Sequence, residues 1–109
     1  MVISMLTKED LTIFIGKMYE EYQNDDIPGF NMEITFMDWI FDAEEDDKKI
    51  LAPDTIELYL VPKDKREKLE KNESISEIKL LDSCIWIIKN NDEANMLLPY
   101  SQILFVKEI

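Results

Sequence analysis

Residues 31–47 read NMEITFMDWIFDAEEDD, and this run narrows what the chain can fold into more than any other. It holds one of the two tryptophans, two phenylalanines and the densest cluster of carboxylates in the protein. So much aromatic surface must be partly buried, and so much like charge must stay partly in water. An element with two unlike faces satisfies both demands. At 100° per residue, Phe36, Trp39, Ile40 and Ala43 gather on one side of a helix over residues 36–47, with Thr35 as N-cap and Asp38 at the capping-box position. Asp38, Asp42, Glu45 and Asp46 then form a second stripe, and Met37 and Phe41 an apolar shoulder between the two. Over residues 32–36 the pattern alternates instead, Met32, Ile34 and Phe36 against Glu33 and Thr35, as in a half-buried strand. The run therefore reads as a short strand followed by a helix.

Local stability does not explain the acids in such a helix. Carboxylates three and four residues apart repel one another. They also crowd the C-terminal end, where the helix dipole favours cations, and Lys48 and Lys49 offset this only in part. Solubility does not require them either, because a net charge of magnitude about 2–8 is ample for a small domain. This chain carries −12. Residues 1–60 hold 15 acids and 4 bases, whereas residues 61–109 hold 9 acids and 8 bases. The excess is therefore N-terminal. It disfavours binding to DNA, RNA or anionic lipid by phosphate neutralisation and leaves three readings, a basic protein partner, a cation or simple solubility.

Residues 7–23 read as a first helix. Thr7 and Asp10 stand at capping spacing, and Leu11, Phe14, Ile15, Met18 and Tyr22 make one apolar stripe. Gly16 lies off the stripe, where it would allow another segment to approach closely. Residues 24–31 form a loop with Asp25, Asp26 and the turn pair Pro28-Gly29. Ala52-Pro53-Asp54 reads as a break, followed by a strand over 55–61 that Pro62 ends. Residues 63–73 form a charged connector whose Asp64–Lys68 and Glu67–Lys71 pairs favour a short exposed helix. Strands follow at 77–81 and 84–89, with one long strand kinked at Asp82-Ser83 as the variant. Ile85-Trp86-Ile87-Ile88 is apolar on both faces and belongs at the centre of a sheet. Residues 90–93 carry hairpin chemistry, and strands at 95–98 and 102–107 pair back around the bend Pro99-Tyr100-Ser101. The expected fold is one α+β domain over 1–109, with two N-terminal helices packed on a C-terminal antiparallel β-meander of about four strands. Residues 1–50 form its acidic helical half and 55–109 its β half, with the charged connector at 63–73.

The chain contains no histidine, which removes the commonest general base and the commonest transition-metal ligand. The single cysteine, Cys84, permits no internal disulfide and reads as a small buried hydrophobe beside Ile85 and Trp86. Cys84 and the serines, Ser101 included, have no histidine partner, so no nucleophilic role is expected of them. DAEEDDKKILAP lacks the central Gly and terminal Glu of a calcium-binding EF-hand loop. No apolar run approaches the roughly 18 residues of a membrane span, and no secretory signal is present, so a cytoplasmic location is expected. No catalytic residue, cofactor site or metal site is expected.

The expected function is therefore that of a small acidic, non-enzymatic protein-binding module. Asp38, Asp42, Glu44, Glu45, Asp46 and Asp47, with Asp25 and Asp26 nearby, would supply charge complementarity. Met37 and Phe41 would supply apolar contact. Carboxylates about 5–6 Å apart along a helix approach the charge density of a nucleic-acid backbone. This suggests an inhibitor that blocks a nucleic-acid-binding surface by charge mimicry. In charge and size, though not in sequence, it is analogous to small acidic inhibitors of phages and mobile elements. The abundant Ile, Lys and Asn fit an AT-rich phage or bacterial coding sequence. Two alternatives are an immunity-type protein that neutralises a basic toxin, and a homo-oligomeric assembly protein that pairs through the edge strand at 102–109.

Overall fold

The structure, a computed structural model, describes residues 6–26, 28–42, 48–66, 75–89 and 96–109, with backbone alone at 40–42, 48–49 and 89. It is an α+β fold in which a long helix, α1 (Lys8–Tyr22), lies on one face of a six-stranded mixed sheet. The strands are β1 (Phe30–Asp42), β2 (Lys48–Leu60), β3 (Ser76–Leu80), β4 (Cys84–Lys89), β5 (Met96–Pro99) and β6 (Ile103–Glu108). A single helical turn, α2 (Lys63–Arg66), follows β2. Among the described residues no helix is long and apolar enough to cross a membrane.

α1 forms as its sequence dictates. The Thr7 hydroxyl accepts from the Asp10 N–H at 3.1 Å, and the Thr7 N–H donates to the Asp10 carboxylate at 3.0 Å. This reciprocal box satisfies two of the orphan donors at the helix start. Leu11 and Ile15 are buried, and Phe14, Met18 and Tyr22 pack partly buried beside them. Gly16 is exposed, and a Cβ placed there would meet nothing within 4 Å. It admits no close neighbour, contrary to expectation.

The expected second helix over 36–47 does not form within the described residues. β1 runs unbroken from Phe30 through Asp42 and pairs with β2 in continuous antiparallel register, from Phe30↔Leu60 to Asp42↔Lys48. Thr35 is an 8% exposed strand residue rather than an N-cap. The period-2 burial of Phe30, Met32, Ile34 and Phe36 beneath α1 decides the matter. A helix starting at Phe36 would forfeit both that burial and the ladder to β2. Ala52-Pro53-Asp54 is likewise no break, since it lies within β2 opposite Phe36, Met37 and Asp38. Pro53 is tolerated there because β2 meets β3 only at Leu60↔Ser76, so no ladder bond is lost.

The sheet order is β5-β4-β3-β2-β1-β6. β3 pairs with β2 in parallel, so the sheet is not the purely antiparallel meander expected. Asp82-Ser83 makes a tight turn between two antiparallel strands and not a kink in one, with the Leu81 N–H donating to the Cys84 carbonyl at 2.9 Å. The Ile85–Ile88 run is central, flanked by β3 and β5, with Ile85 and Ile87 buried. β6 does not pair back on β5. After the 3₁₀ turn Tyr100–Gln102 the chain crosses to the far side of the sheet, where β6 pairs with β1. Ile103 is buried opposite Phe36, Val106 stands opposite Ile34, and Leu104 is the extra residue of a β-bulge. Buried side chains from β1, β2, β4, β5 and β6 thus converge on Leu11 and Ile15 of α1 in one core. The expected hairpin turn at 90–93 and the partners Glu67, Lys68 and Lys71 of the connector lie outside the described residues.

Candidate protein-binding surface

The hairpin of β1 and β2 outruns the rest of the fold. β6 accompanies β1 only as far as Phe36↔Ile103, and β3 meets β2 only at its C-terminal end. Residues 37–42 of β1 and 48–53 of β2 therefore form a two-stranded arm, flanked by no further strand among the described residues. The Cα radius of gyration is 15.8 Å, and the longest axis is 51 Å. A compact domain of about this size would have a radius near 13 Å.

Strand alternation gives the arm two unlike faces. On the side covered by α1, the last core residue is Phe36, whose cross-strand partner is exposed Asp54. The next pair on that side is Asp38 opposite Ala52, followed by Ile40 opposite exposed Ile50, so beyond the helix this side mixes carboxylate and apolar groups. On the opposite side Met37 stands across from Pro53 and Trp39 across from Leu51. Trp39 is 55% exposed and Leu51 48%, and Met37 is half-buried. The same side of the sheet carries half-exposed Phe105 opposite Thr35.

The acids of this region have local tasks as well as a field. The Asp38 carboxylate accepts from the Trp39 N–H at 2.8 Å, and the Asp54 carboxylate from the Thr55 N–H at 2.8 Å. Glu33 and Glu57 face each other across the ladder, a repulsive pairing. Lys107 relieves it from β6, with its ammonium 3.5 Å from Glu33. At the other end of α1, the Tyr22 hydroxyl donates to the Glu108 carboxylate, and this bond pushes the phenol up to about 12. Tyr19 packs edge-on against Phe30, and burial raises its pKa, partly offset by the neighbouring Arg66.

The structure separates the residues singled out from the sequence. Asp38 and Met37 lie on the arm, on opposite faces, instead of side by side on a helix. Asp42 and Phe41 lie farther along β1, their backbones paired with Lys48 and Lys49. Asp25 and Asp26 are exposed beyond the end of α1. Glu44, Glu45, Asp46 and Asp47 fall outside the described residues. The helical row of carboxylates from Asp38 to Asp42 is replaced by a strand, so the spacing that favoured nucleic-acid mimicry is not present there. Trp39, assigned to the core by helical geometry, is exposed, Leu51 was not singled out, and Pro53 was read only as part of a break. The available signal was the end of strict alternation, since the apolar positions are even from Met32 to Phe36 and fall on both parities from Met37 to Phe41.

Other candidate chemistry is sparse. Among the described residues no group of three or more acids and thiols is placed to hold a metal ion. Cys84 is half-buried at the start of β4 and not fully enclosed as expected. A shallow groove of about 460 Å³ lies between the end of α1 and α2, walled by Tyr19, Pro28 and Pro62. Its charges, from Glu20, Asp64 and Lys65, are mixed. Compared with known proteins, the chain matches no family model, no curated protein and no solved structure.

Proposed function

We propose that this protein is a non-enzymatic binding module that docks on a basic surface of another protein through its β1–β2 arm. The observation that carries the reading is the two-faced arm itself. A tryptophan and a leucine stand exposed as a cross-strand pair on one side, and the Asp38 and Asp54 carboxylates stand on the other, ahead of exposed Ile50. An exposed aromatic anchor beside carboxylates suits a binding surface in which acids steer the encounter and the aromatic supplies the affinity. Asp42, Glu44, Glu45, Asp46 and Asp47 follow Asp38 in sequence and add to its negative charge. A nucleic-acid-binding protein or a basic toxin would present a suitable surface. A cytoplasmic location fits the single cysteine.

A second reading, self-association through β6, draws on its place at the sheet edge and on exposed Leu104 and Phe105. It ranks lower because the bulge at Leu104, the charges of Lys107 and Glu108, and a net charge of −12 per copy all oppose edge pairing.

Affinity capture from cell lysate by the parent, by Trp39→Ala and by Asp38→Lys/Asp42→Lys, at low and high salt, tests the proposal. The parent is expected to capture basic proteins that high salt releases and that both variants fail to hold. Capture that is indifferent to salt and to both variants overturns the assignment of the arm. A concentration-dependent dimer by light scattering, lost on Phe105→Lys, favours the second reading.

A further inference from the structure

We propose that Asp38, Pro53 and Asp54 close the edges of the β1–β2 arm against the addition of another strand. In a β-strand the N–H and C=O of one residue point to the same side, and successive residues alternate. The Ile109 N–H donates to the Asn31 carbonyl at 3.0 Å, so the odd-numbered residues of β1 direct their backbone groups toward β6. Trp39 belongs to this set, but it lies beyond the last β6 pair at Phe36↔Ile103. Its N–H would face an edge that no other described strand covers, and it is taken instead by the Asp38 carboxylate. On β2 the partners of the odd residues of β1 are Leu51, Pro53 and Thr55. Their backbone groups point away from β1, toward a side where β3 pairs only at Leu60. Pro53 has no N–H to offer, and the Thr55 N–H is taken by the Asp54 carboxylate.

An incoming strand would therefore find two successive donors missing on β2 and one missing on β1. The device is placed where it is needed, because the arm combines long edges with exposed Trp39 and Leu51, the composition that promotes edge-to-edge aggregation. Proline and inward-bonded charge are two recognised ways of blunting such an edge. Here each Asp acts on the N–H of the residue that follows it, so two of the acids of the N-terminal half have a structural task independent of any partner.

Amide hydrogen exchange and light scattering test this. Asp54→Ala should speed exchange at Thr55, and Asp38→Ala at Trp39, each about fivefold, the factor for one hydrogen bond of typical net strength. Each effect should be confined to its own site. Asp54→Asn, which keeps an oxygen acceptor but no charge, should behave as the parent. Pro53→Val/Asp54→Ala restores both donors of β2 and should self-associate as concentration rises. Glu57→Ala, which removes an equal charge from the same strand without uncapping an N–H, should not. Unchanged exchange at Thr55 in Asp54→Ala overturns the proposal. So does a double variant as monodisperse as the parent, or self-association of Glu57→Ala to the same extent.

Discussion

Phe36 and Trp39 lie three residues apart in one strand, and truncating each to alanine should give sharply different results. On a helix they would share a face, and both would be core. In the strand they point to opposite sides, Phe36 at 3% exposure under α1 and Trp39 at 55% on the arm. Phe36 packs among Ile34, Ile103 and the rest of the buried cluster. Its removal sacrifices transfer energy and leaves a cavity, a loss of about 3–5 kcal/mol for a buried Phe→Ala change. Trp39 keeps less than half of its surface from water. A fully buried aromatic covers roughly 150–250 Å², so at about 25 cal/mol per Å² its truncation costs at most about 3 kcal/mol. The difference should appear in urea unfolding as a lower midpoint for Phe36→Ala at unchanged slope. In thermal melts each kcal/mol corresponds to about 4 °C or more for a domain near this size. Equal losses for the two variants would refute the strand assignment and restore the helical one. A Trp39→Ala variant that is as stable as the parent yet fails to capture partners would join this result to the proposed binding role.

The two glycines should respond oppositely to alanine. Gly16→Ala should stabilise by up to about 1 kcal/mol, because the site is helical and open, whereas Gly29→Ala should cost about 1–3 kcal/mol. At Gly29 the new Cβ would lie 2.8 Å from a Val61 methyl and 2.9 Å from the Leu60 carbonyl oxygen, and denaturant midpoints separate the two cases. Tyr22 should ionise near pH 12, since its proton is held by the bond to Glu108. A group with a raised folded pKa stabilises fully below its unfolded value of 10.0 and loses that contribution as pH rises toward 12. Tyr22→Phe should abolish this part of the alkaline destabilisation and remove one late-titrating phenol from the ultraviolet absorbance titration. A Tyr22 that titrates with ordinary tyrosines would count against the clasp between α1 and β6.

Elements whose signals are local were legible in the sequence. The capping box and apolar stripe of α1 specify its start and its buried face, and Ile85–Ile88 declares a central strand. The run after Thr35 misleads because Phe36, Trp39 and Ile40 fit helical spacing while Phe36 also continues the alternation begun at Met32. Propensity cannot separate these, and the ladder to β2, a tertiary contact, decides. Pro53 was read as a break because an edge that can dispense with an N–H is visible only once the neighbours of β2 are known. The crossing of β6 to β1 was unreadable for a similar reason, since short segments of equal β character carry no address. The acids of the candidate site were conspicuous, but the placing of Asp38 and Asp54 on the face opposite Trp39 and Leu51 depends on a parity that the helical reading erased.

The partnership of β6 with β1 also governs the order in which the protein can form. Met32 and Glu108 are paired across more than seventy residues of intervening chain, so this contact closes late and at a large entropic cost. During synthesis α1, β1 and β2 leave the ribosome first. Until residues 103–108 follow, the outward donors of Asn31, Glu33 and Thr35 face solvent, and none of these positions follows an aspartate. The nascent chain thus passes through an interval in which one flank of its longest hairpin has neither a partner strand nor a carboxylate cap, and in that interval it is most open to pairing with its neighbours.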